Sequence, residues 1–365
     1  MKTINLAFII NSVKNGGPSN VVQNIIKELP KEEYQITLIT LFNENDETII
    51  KQLSHNGIKV IEKNYQSKLY FLLHGNKEIE KIQALYNYDI IHTHGFIPDF
   101  CVSKSKITAK KITTIHCNLF EDYREEYGIL CSKIYFYLHI KSLKKINEII
   151  CCSDSVRKSL EKHLKSCKYI LNGITLEDNK QKSNVNRKSL GICENSTVYI
   201  YVGRLEQRKN VLFLIKSFVK YHQKNEYLLI LGDGSFFKKC KKEADSNVIL
   251  LGFQKNPIQY YNISDYYISA SKSEGLSISV IEAMGCGLGV FLSNIPSHQE
   301  IMKLNPKIYI GELFTENNFN FKLQELRNNK QKLKPTEIKR MQNEILSAKS
   351  MGLHYHNCYK KLVGE

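Results

Sequence analysis

The sequence predicts an α/β protein of two domains, each built from a parallel sheet covered by helices. Short apolar and β-branched runs alternate with helix-like segments through residues 1–171, and the same alternation begins again near Val198. Between these halves, residues 172–188 contain Asn-Gly, Asp-Asn and repeated lysines, a composition typical of a linker. The 365 residues are enough to form two hydrophobic cores.

Strand-like runs in the first domain are each followed by a helix-like or polar segment. They lie at residues 4–10, 36–41, 89–92, 112–116 and 148–152. After the first run, Gly16-Gly17-Pro18 leads into a helix-like stretch. Glycines at a strand-to-helix turn let the backbone approach a phosphate or a sugar, and proline suits the first helical position. Taken alone, these residues would also fit a plain tight turn.

The second domain, residues 189–345, opens with a β-branched and aromatic run at 198–202. Gly203 and Arg204 follow this run directly, and Lys209 precedes an amphipathic helix-like segment. Open parallel sheets bind ligands at the carboxyl ends of their strands, so Arg204 and Lys209 are predicted to neutralise a diphosphate. The alternative is that these two basic residues are solvated in the loop and bind no ligand.

Two glutamates, Glu274 and Glu282, lie on either side of a predicted helix start near Ser277. Unpaired N–H groups and the helix dipole at such a start attract phosphate, while carboxylates accept hydrogen bonds from sugar hydroxyls. The pattern therefore predicts a site for a nucleotide-sugar. For this segment alone, the alternative is a charge that complements the dipole beside a solvated glutamate.

These segments together resemble the retaining family 4 glycosyltransferases of the GT-B fold, the group 1 type. That fold has two Rossmann-like α/β/α domains that face each other across a cleft. The matching motifs, in chain order, are Gly16-Gly17, the His-x-His segment at 89–95, Thr114-Ile115-His116, Asn172-Gly173-Ile174, Gly203-Arg204 with Lys209, Gly232-Asp233-Gly234, and Glu274 with Glu282. One departure is Ser277, where many members carry glycine or proline.

The resemblance implies a role for each matching residue. Glu274 would contact the donor hexose, Glu282 the nucleotide ribose, and Arg204 and Lys209 the diphosphate. His116 would position donor or acceptor, and His94 is a second candidate for the acceptor side or the cleft. The implied catalytic residues are His116, Glu274, Arg204 and Lys209. The implied donor-binding residues are Gly16, Gly17, Gly203, Arg204, Lys209, Glu274, Gly275, Leu276, Ser277 and Glu282.

The implied reaction moves a hexose-type sugar from a nucleoside-diphosphate sugar to an acceptor hydroxyl with retention of anomeric configuration. Bacterial members of the family commonly build capsule, exopolysaccharide or lipopolysaccharide, often on lipid-linked acceptors. A non-catalytic nucleotide-sugar-binding subunit of the same fold is the alternative, and the presence of Glu274, Glu282, Arg204 and Lys209 argues against it. A nicotinamide-dependent oxidoreductase is disfavoured because no complete Gly-x-Gly-x-x-Gly follows a strand-like run.

The net charge of +16 is compatible with nucleic acid, an anionic membrane or anionic substrates, and also with a lysine-rich genome bias. No nucleic-acid recognition motif is present, so no nucleic-acid partner is predicted. Residues 133–145 mix lysines with aromatic residues, which suits a helix at an anionic membrane surface. An ordinary half-buried helix fits that composition equally well.

Metal and cofactor sites are not predicted. His92 and His94, and likewise His354 and His356, form His-x-His pairs that lack a third ligand cluster nearby. The ten cysteines show no Cys-x-x-Cys spacing, which fits small core residues in a reducing cytoplasm. The apolar run 4–10 is too short for a membrane span. We therefore expect a cytoplasmic protein that can act at the inner face of the cell membrane.

The C-terminal residues 346–365 are predicted to form a helix. Tyr355, Tyr359 and Leu362 recur at helical spacing and would form one apolar face. In the resembled fold the last helix crosses back onto the N-terminal domain, which gives this face a docking partner.

Overall fold

A computed structural model describes residues 3–14, 16–176 and 185–364. The chain divides into two compact units, one made of Met1–Gly173 with Ala348–Glu365 and the other of Ile174–Ser347. Residues 177–184 of the predicted linker lie outside the described residues. Both units contain a parallel sheet with helices between strands, so the predicted α/β class is confirmed.

The strands of the first unit pair in parallel. They are β1 (Ile4–Ile10), β2 (Tyr34–Thr40), β3 (Lys59–Glu62), β4 (Ile90–His94), β5 (Lys110–Ile115), β6 (Glu148–Cys151) and β7 (Lys168–Tyr169). The helices between them are α1 (Gly17–Glu28), α2 (Glu47–His55), α3 (Lys68–Tyr86), α4 (Phe96–Lys104), α5 (Leu119–Leu143) and α6 (Asp154–Leu160). The strand order is β3-β2-β1-β4-β5-β6-β7, so the winding reverses between β1 and β4. Ligand sites of open α/β sheets lie at such a reversal.

The burial of strand β1 on both faces of the sheet explains why its sequence is an unbroken apolar run. Leu6, Ala7, Phe8 and Ile9 are all fully buried, although successive side chains of a strand point to opposite faces of the sheet. A strand covered on both faces needs apolar residues at every position, unlike the alternating pattern of a half-exposed strand. The carboxyl end of β1 is therefore held rigidly beside those of its neighbours β2 and β4.

The second unit repeats this design. Its strands are β8 (Thr197–Val202), β9 (Glu226–Leu231), β10 (Val248–Gly252), β11 (Tyr266–Ser269), β12 (Gly289–Ser293) and β13 (Gly311–Phe314). Its helices are α7 (Val211–Tyr221), α8 (Phe237–Glu243), α9 (Ile258–Tyr261), α10 (Ile278–Gly285), α11 (Pro296–Met302), α12 (Phe319–Asn328) and α13 (Pro335–Ile345). The strand order is β10-β9-β8-β11-β12-β13, with the reversal between β8 and β11. Tyr199, Phe218 and Phe291 are among the large side chains of its core.

Arg187 belongs to this second unit, although its sequence position falls within the predicted linker. Its guanidinium donates to the carbonyl oxygens of Ile263 and Ser196 at 3.0 and 2.9 Å. It also pairs with Asp265 at 3.0 Å. A planar guanidinium can satisfy several acceptors at once, and composition alone does not reveal such partners.

The last helix, α14 (Ala348–Val363), is part of the first unit. Tyr355 and Tyr359 are buried, whereas Leu362 is half-buried. The hydroxyl of Tyr355 lies 2.8 Å from Thr114 Oγ1, and that of Tyr359 lies 2.7 Å from His92 Nδ1. These hydrogen bonds join α14 to β5 and β4, so this helix is anchored to the first sheet.

Candidate active site

The carboxyl ends of β8 and β11 lie side by side at the reversal of the second sheet. The loop after β8 carries the sequence-predicted cations, and the loop after β11 carries Glu274. The backbone N–H of Lys272 donates to the carbonyl oxygen of Arg208 at 2.9 Å, which ties the two loops together. The topology thus brings together two motifs that are 65 residues apart in the chain.

Glu274 forms the centre of this edge. Lys209 Nζ lies 2.5 Å from its Oε1, and Arg208 Nη1 lies 3.5 Å from its Oε2. The Glu274 side chain is only 9% exposed. Burial alone would raise the pKa of this carboxyl, but the charges of Lys209 and Arg208 outweigh burial and lower the pKa to about 2. The site therefore holds an ionised carboxylate that can accept hydrogen bonds from hydroxyl groups.

Arg208 is a residue to which the sequence analysis assigned no role. Besides facing Glu274, it donates to the carbonyl oxygen of Ser273 at 2.8 Å. The available signal was its place beside Lys209 in the loop after β8. That signal does not tell that both adjacent cations turn inward to Glu274.

Arg204 is placed differently from Lys209. Its guanidinium lies 3.3 Å from Glu206 Oε1, and 73% of the side chain is exposed. The adjoining Gly203 has a φ of 158°, and a Cβ on Gly232 would overlap the carbonyl oxygen of Gly203. The two glycine-containing loops therefore approach each other through their backbones, which leaves Arg204 at the surface of the same edge.

Helix α10 begins after Ser277, as its apolar spacing predicts, and carries Glu282. The hydroxyl of Tyr261 donates to Glu282 Oε2 at 3.1 Å. Burial raises the pKa of Glu282 to about 7, while the hydrogen bond from Tyr261 acts in the opposite direction. Burial thus disfavours the charged form of Glu282, whereas the neighbouring cations keep Glu274 charged. Tyr261, the group that orients Glu282, had no signal in the sequence motif.

The segment between Glu274 and α10 contains the remaining predicted donor-binding residues. Gly275 and Leu276 are buried, and Ser277 is half-buried at the N-cap of the helix. The Ser277 side chain makes no capping hydrogen bond to the first turn. A helix start without a side-chain cap can bind an anion through its first backbone N–H groups.

The first unit carries the predicted histidines at the carboxyl ends of β4 and β5. His94 Nδ1 lies 2.9 Å from His116 Nε2. Burial lowers the pKa of His116 to about 4 and that of His94 well below its usual range, so both rings are neutral. Neutral rings that share one hydrogen bond present one donor and one acceptor at their outer nitrogens. His92 instead bonds Tyr359 and Thr114 and is part of the framework.

The outer nitrogens of this histidine pair are buried without a partner among the described residues. The same holds for Oδ1 of Asn11, which directly follows β1. Asn11 Nδ2 would lie 3.9 Å from a Cβ on Gly95, which directly follows His94. No sequence motif marks Asn11. Buried polar atoms without partners are uncommon, so this edge of the first sheet has the character of a ligand site.

Gly16 and Gly17 lie exposed at the start of α1, and Gly17 is its first residue. A Cβ on either glycine would meet nothing within 4 Å. Across residues 3–14, 16–176 and 185–364, no cluster of three or more His, Cys, Asp or Glu side chains is placed to hold a metal ion.

Comparison with known proteins identifies the family. Residues 15–178 match the model of Glycosyltransferase Family 4, and residues 182–340 match that of Glycosyl transferases group 1. The chain belongs to the group 1 and family 4 glycosyltransferases. The predicted family is therefore confirmed, and the protein is a glycosyltransferase.

Relatives of this glycosyltransferase include the O-antigen biosynthesis glycosyltransferase WclY of Escherichia coli, with 26% identity over 81% of this chain and 82% of WclY. Another is the E. coli UDP-Gal:alpha-D-GlcNAc-diphosphoundecaprenol alpha-1,3-galactosyltransferase, with 27% identity over 62% of this chain and 65% of that protein. The first name places WclY in O-antigen biosynthesis, and the second names a sugar linked to diphosphoundecaprenol as the acceptor of that relative.

Two solved structures share the fold across almost the whole chain. Sucrose-phosphate synthase of Thermosynechococcus elongatus superposes with a TM-score of 0.80 at 16% identity, covering 98% of this chain and 99% of its own. HepE of Anabaena, solved with UDP and glucose, superposes with a TM-score of 0.76 at 17% identity, covering 98% and 100%. The predicted GT-B fold is thus confirmed.

Proposed function

We propose that this glycosyltransferase moves a hexose from a nucleoside-diphosphate sugar to an acceptor hydroxyl with retention of configuration. The transfer would contribute to capsule, exopolysaccharide or lipopolysaccharide assembly. The observation that carries the proposal is the Lys209–Glu274 ion pair beside the start of α10, at the strand reversal of the second sheet. It combines a cation for a diphosphate, a carboxylate for sugar hydroxyls and the N-terminus of a helix.

The main chemical demand is the charge that develops on the leaving diphosphate. The bond between the anomeric carbon and the phosphate oxygen breaks while the acceptor oxygen bonds that carbon on the same face. The acceptor proton passes to the departing diphosphate, so no protein base is required. Arg204, Lys209 and the N–H groups after Ser277 stabilise the leaving group, a preorganised electrostatic role.

The remaining residues orient the substrates. Glu274 accepts hydrogen bonds from the transferred hexose, and Glu282 binds the ribose hydroxyls with Tyr261 fixing its carboxyl group. His116 and His94 present one donor and one acceptor to a sugar hydroxyl without introducing a charge. Gly16 and Gly17 offer unobstructed backbone for a phosphate or sugar.

A donor screen tests this proposal directly. Purified protein is incubated with UDP-, GDP- and ADP-sugars and an undecaprenyl-diphosphate-linked sugar acceptor, and nucleotide release is measured. We expect acceptor-dependent release from one sugar-nucleotide class and, by NMR, a product with the donor's anomeric configuration. Inversion would refute retention. Donor binding without turnover on any acceptor would favour the non-catalytic accessory subunit.

Activity is expected to survive chelation of divalent cations. Arg204 and Lys209 supply the positive charge that the diphosphate needs, so transfer in excess EDTA should stay within about twofold of the untreated rate. The measurement is nucleotide release before and after EDTA, with magnesium or manganese added back. Loss of activity in EDTA that either metal restores would contradict a metal-independent mechanism.

We also propose that α5 contacts an anionic membrane surface, which would bring the protein to lipid-linked acceptors at the inner face of the cell membrane. Ile129, Leu130, Ile134 and Tyr137 on this helix are 60%, 77%, 61% and 64% exposed. Lys133 among them is exposed as well. Exposed apolar residues beside a lysine on one side of a helix suit contact with an anionic membrane surface. No helix within the described ranges is long and apolar enough to cross a bilayer.

Sedimentation with phosphatidylglycerol vesicles tests this contact. Leu130→Glu with Ile134→Glu should reduce vesicle binding at least tenfold, because burial of each side chain in lipid contributes about 1.5–3 kcal/mol. Phe321→Glu, at a 64% exposed residue of the second unit, is the matched control and should bind normally. Equal binding by all three proteins would contradict a role for α5.

A further inference from the structure

The buried histidine of α11, His298, has no role in the site described so far. It lies just beyond the carboxyl end of β12, the strand next to β11, and its side chain is fully buried. His298 Nδ1 lies 2.8 Å from the carbonyl oxygen of Ser293. A carbonyl oxygen can only accept, so Nδ1 carries the hydrogen. In the neutral ring Nε2 is then a bare acceptor.

That acceptor is unsatisfied. Nε2 of His298 is buried without a hydrogen-bond partner among the described residues, and so is the hydroxyl of the preceding Ser297. Burial lowers the pKa of His298 to about 4, which keeps the ring neutral at physiological pH. A buried acceptor without a donor costs free energy, so a hydroxyl or N–H group of a bound ligand would be stabilised at this position.

His298 is also linked to Glu274. The hydroxyl of Ser293 donates to the carbonyl oxygen of Ser271 at 2.6 Å, and the Ser271 hydroxyl in turn hydrogen-bonds the Glu274 carboxylate. The charges of Glu274 and Lys209 both act on the His298 ring. Two acceptors that cannot donate, the Glu274 carboxylate and His298 Nε2, therefore lie at one strand edge. A polyol supplies the adjacent hydroxyl donors that this pair requires.

We propose that His298 is a sugar-binding residue whose Nε2 accepts a hydrogen bond from a hydroxyl of the transferred hexose, next to the hydroxyl that Glu274 holds. The inference rests on the proposed donor site and adds a specificity-determining contact to it. The contact recognises the sugar alone, so it contributes to binding of a nucleotide-sugar and contributes nothing to binding of the free nucleoside diphosphate.

Calorimetry with matched ligand pairs tests this assignment. The probes are UDP-glucose and UDP-galactose against UDP, and GDP-mannose against GDP, and the pair that wild type binds most tightly is used. His298→Asn keeps an amide donor for Ser293 but has no acceptor at the Nε2 position. We expect about 3- to 10-fold weaker binding of the nucleotide-sugar with unchanged binding of the nucleoside diphosphate.

Two further variants make the test specific. His298→Gln places an oxygen near the Nε2 position and should recover part of the lost sugar affinity. Gln299→Ala changes the next residue of α11, whose side chain bonds Asn294, and should bind every probe as wild type does. Equal loss of nucleoside-diphosphate affinity, or unchanged sugar affinity in His298→Asn, would overturn the assignment. Failure of wild type to bind any probe would overturn the donor site itself.

Discussion

Replacing Lys209 by methionine is expected to lower turnover by about 100-fold or more. Removing a preorganised charge that faces a developing anion typically costs 10²–10³ in rate. The change also leaves the buried Glu274 with only the more distant Arg208 as a described cationic partner, at 3.5 Å. Nucleotide release under saturating donor measures the effect, and thermal unfolding measured in parallel shows how much of the protein remains folded.

Three variants separate chemistry from stability in this prediction. Lys209→Arg keeps a cation and should retain part of the activity. Arg204→Ala removes a largely exposed side chain, so it should reduce turnover without changing thermal unfolding. Lys216→Met makes the same substitution at an exposed residue of α7 that pairs with Glu243 and should be nearly silent. Turnover near wild type in Lys209→Met would rule out its role at the diphosphate.

The fold class could be predicted from the sequence, and so could the loops on which the candidate site residues lie. Period-2 and unbroken apolar runs mark buried strands such as β1, and glycine-containing turns mark their carboxyl ends. Parallel strands place those ends at one edge, and the structure brings Lys209 and Glu274 together there; their shared role at one donor, which the family resemblance implies, stays a prediction.

The partners of these residues could not be predicted in the same way. Arg208 and Tyr261 each contact a glutamate that is close in space and distant in the chain. Tyr261 reaches Glu282 across 21 residues, and Arg208 reaches Glu274 across 66. Composition and periodicity report which face of an element is apolar. They do not report which polar side chain turns inward to meet a particular group.

The proposed membrane contact of α5 could not be decided from composition either. The composition of residues 133–145 fits both an interfacial helix and a half-buried one. In the structure Leu130 and Ile134 of this helix are exposed, while His139 is buried and lies 2.7 Å from Asp99, so contact of the exposed side with a membrane stays a prediction. Three-dimensional packing, not composition, decides which side of α5 remains available.

Deletion of residues 352–365 is expected to unfold the first unit, the largest stability effect that we predict. It would expose the cavity that Tyr355 and Tyr359 fill, and loss of a large buried aromatic side chain costs about 3–5 kcal/mol. It would also leave His92 Nδ1 without its tyrosine partner, at about 1–3 kcal/mol for an unsatisfied buried group, and remove one of the hydrogen bonds of Thr114. Together these losses approach the whole stability of a typical domain, about 5–15 kcal/mol.

Thermal unfolding and limited proteolysis of the first unit measure this effect. Deletion of residues 364–365 alone, which lie beyond α14, is the control and should unfold as wild type does. Tyr359→Phe keeps the ring and removes only the hydroxyl, so it should cost about 1–2 kcal/mol and leave the unit folded. A protein that lacks residues 352–365 but keeps wild-type unfolding temperature and turnover would show that α14 is dispensable. If the buried tyrosines anchor this helix, stability should fall in steps. Deletion of residues 364–365 should leave it unchanged, Tyr359→Phe should lower it modestly, and deletion of residues 352–365 should unfold the unit.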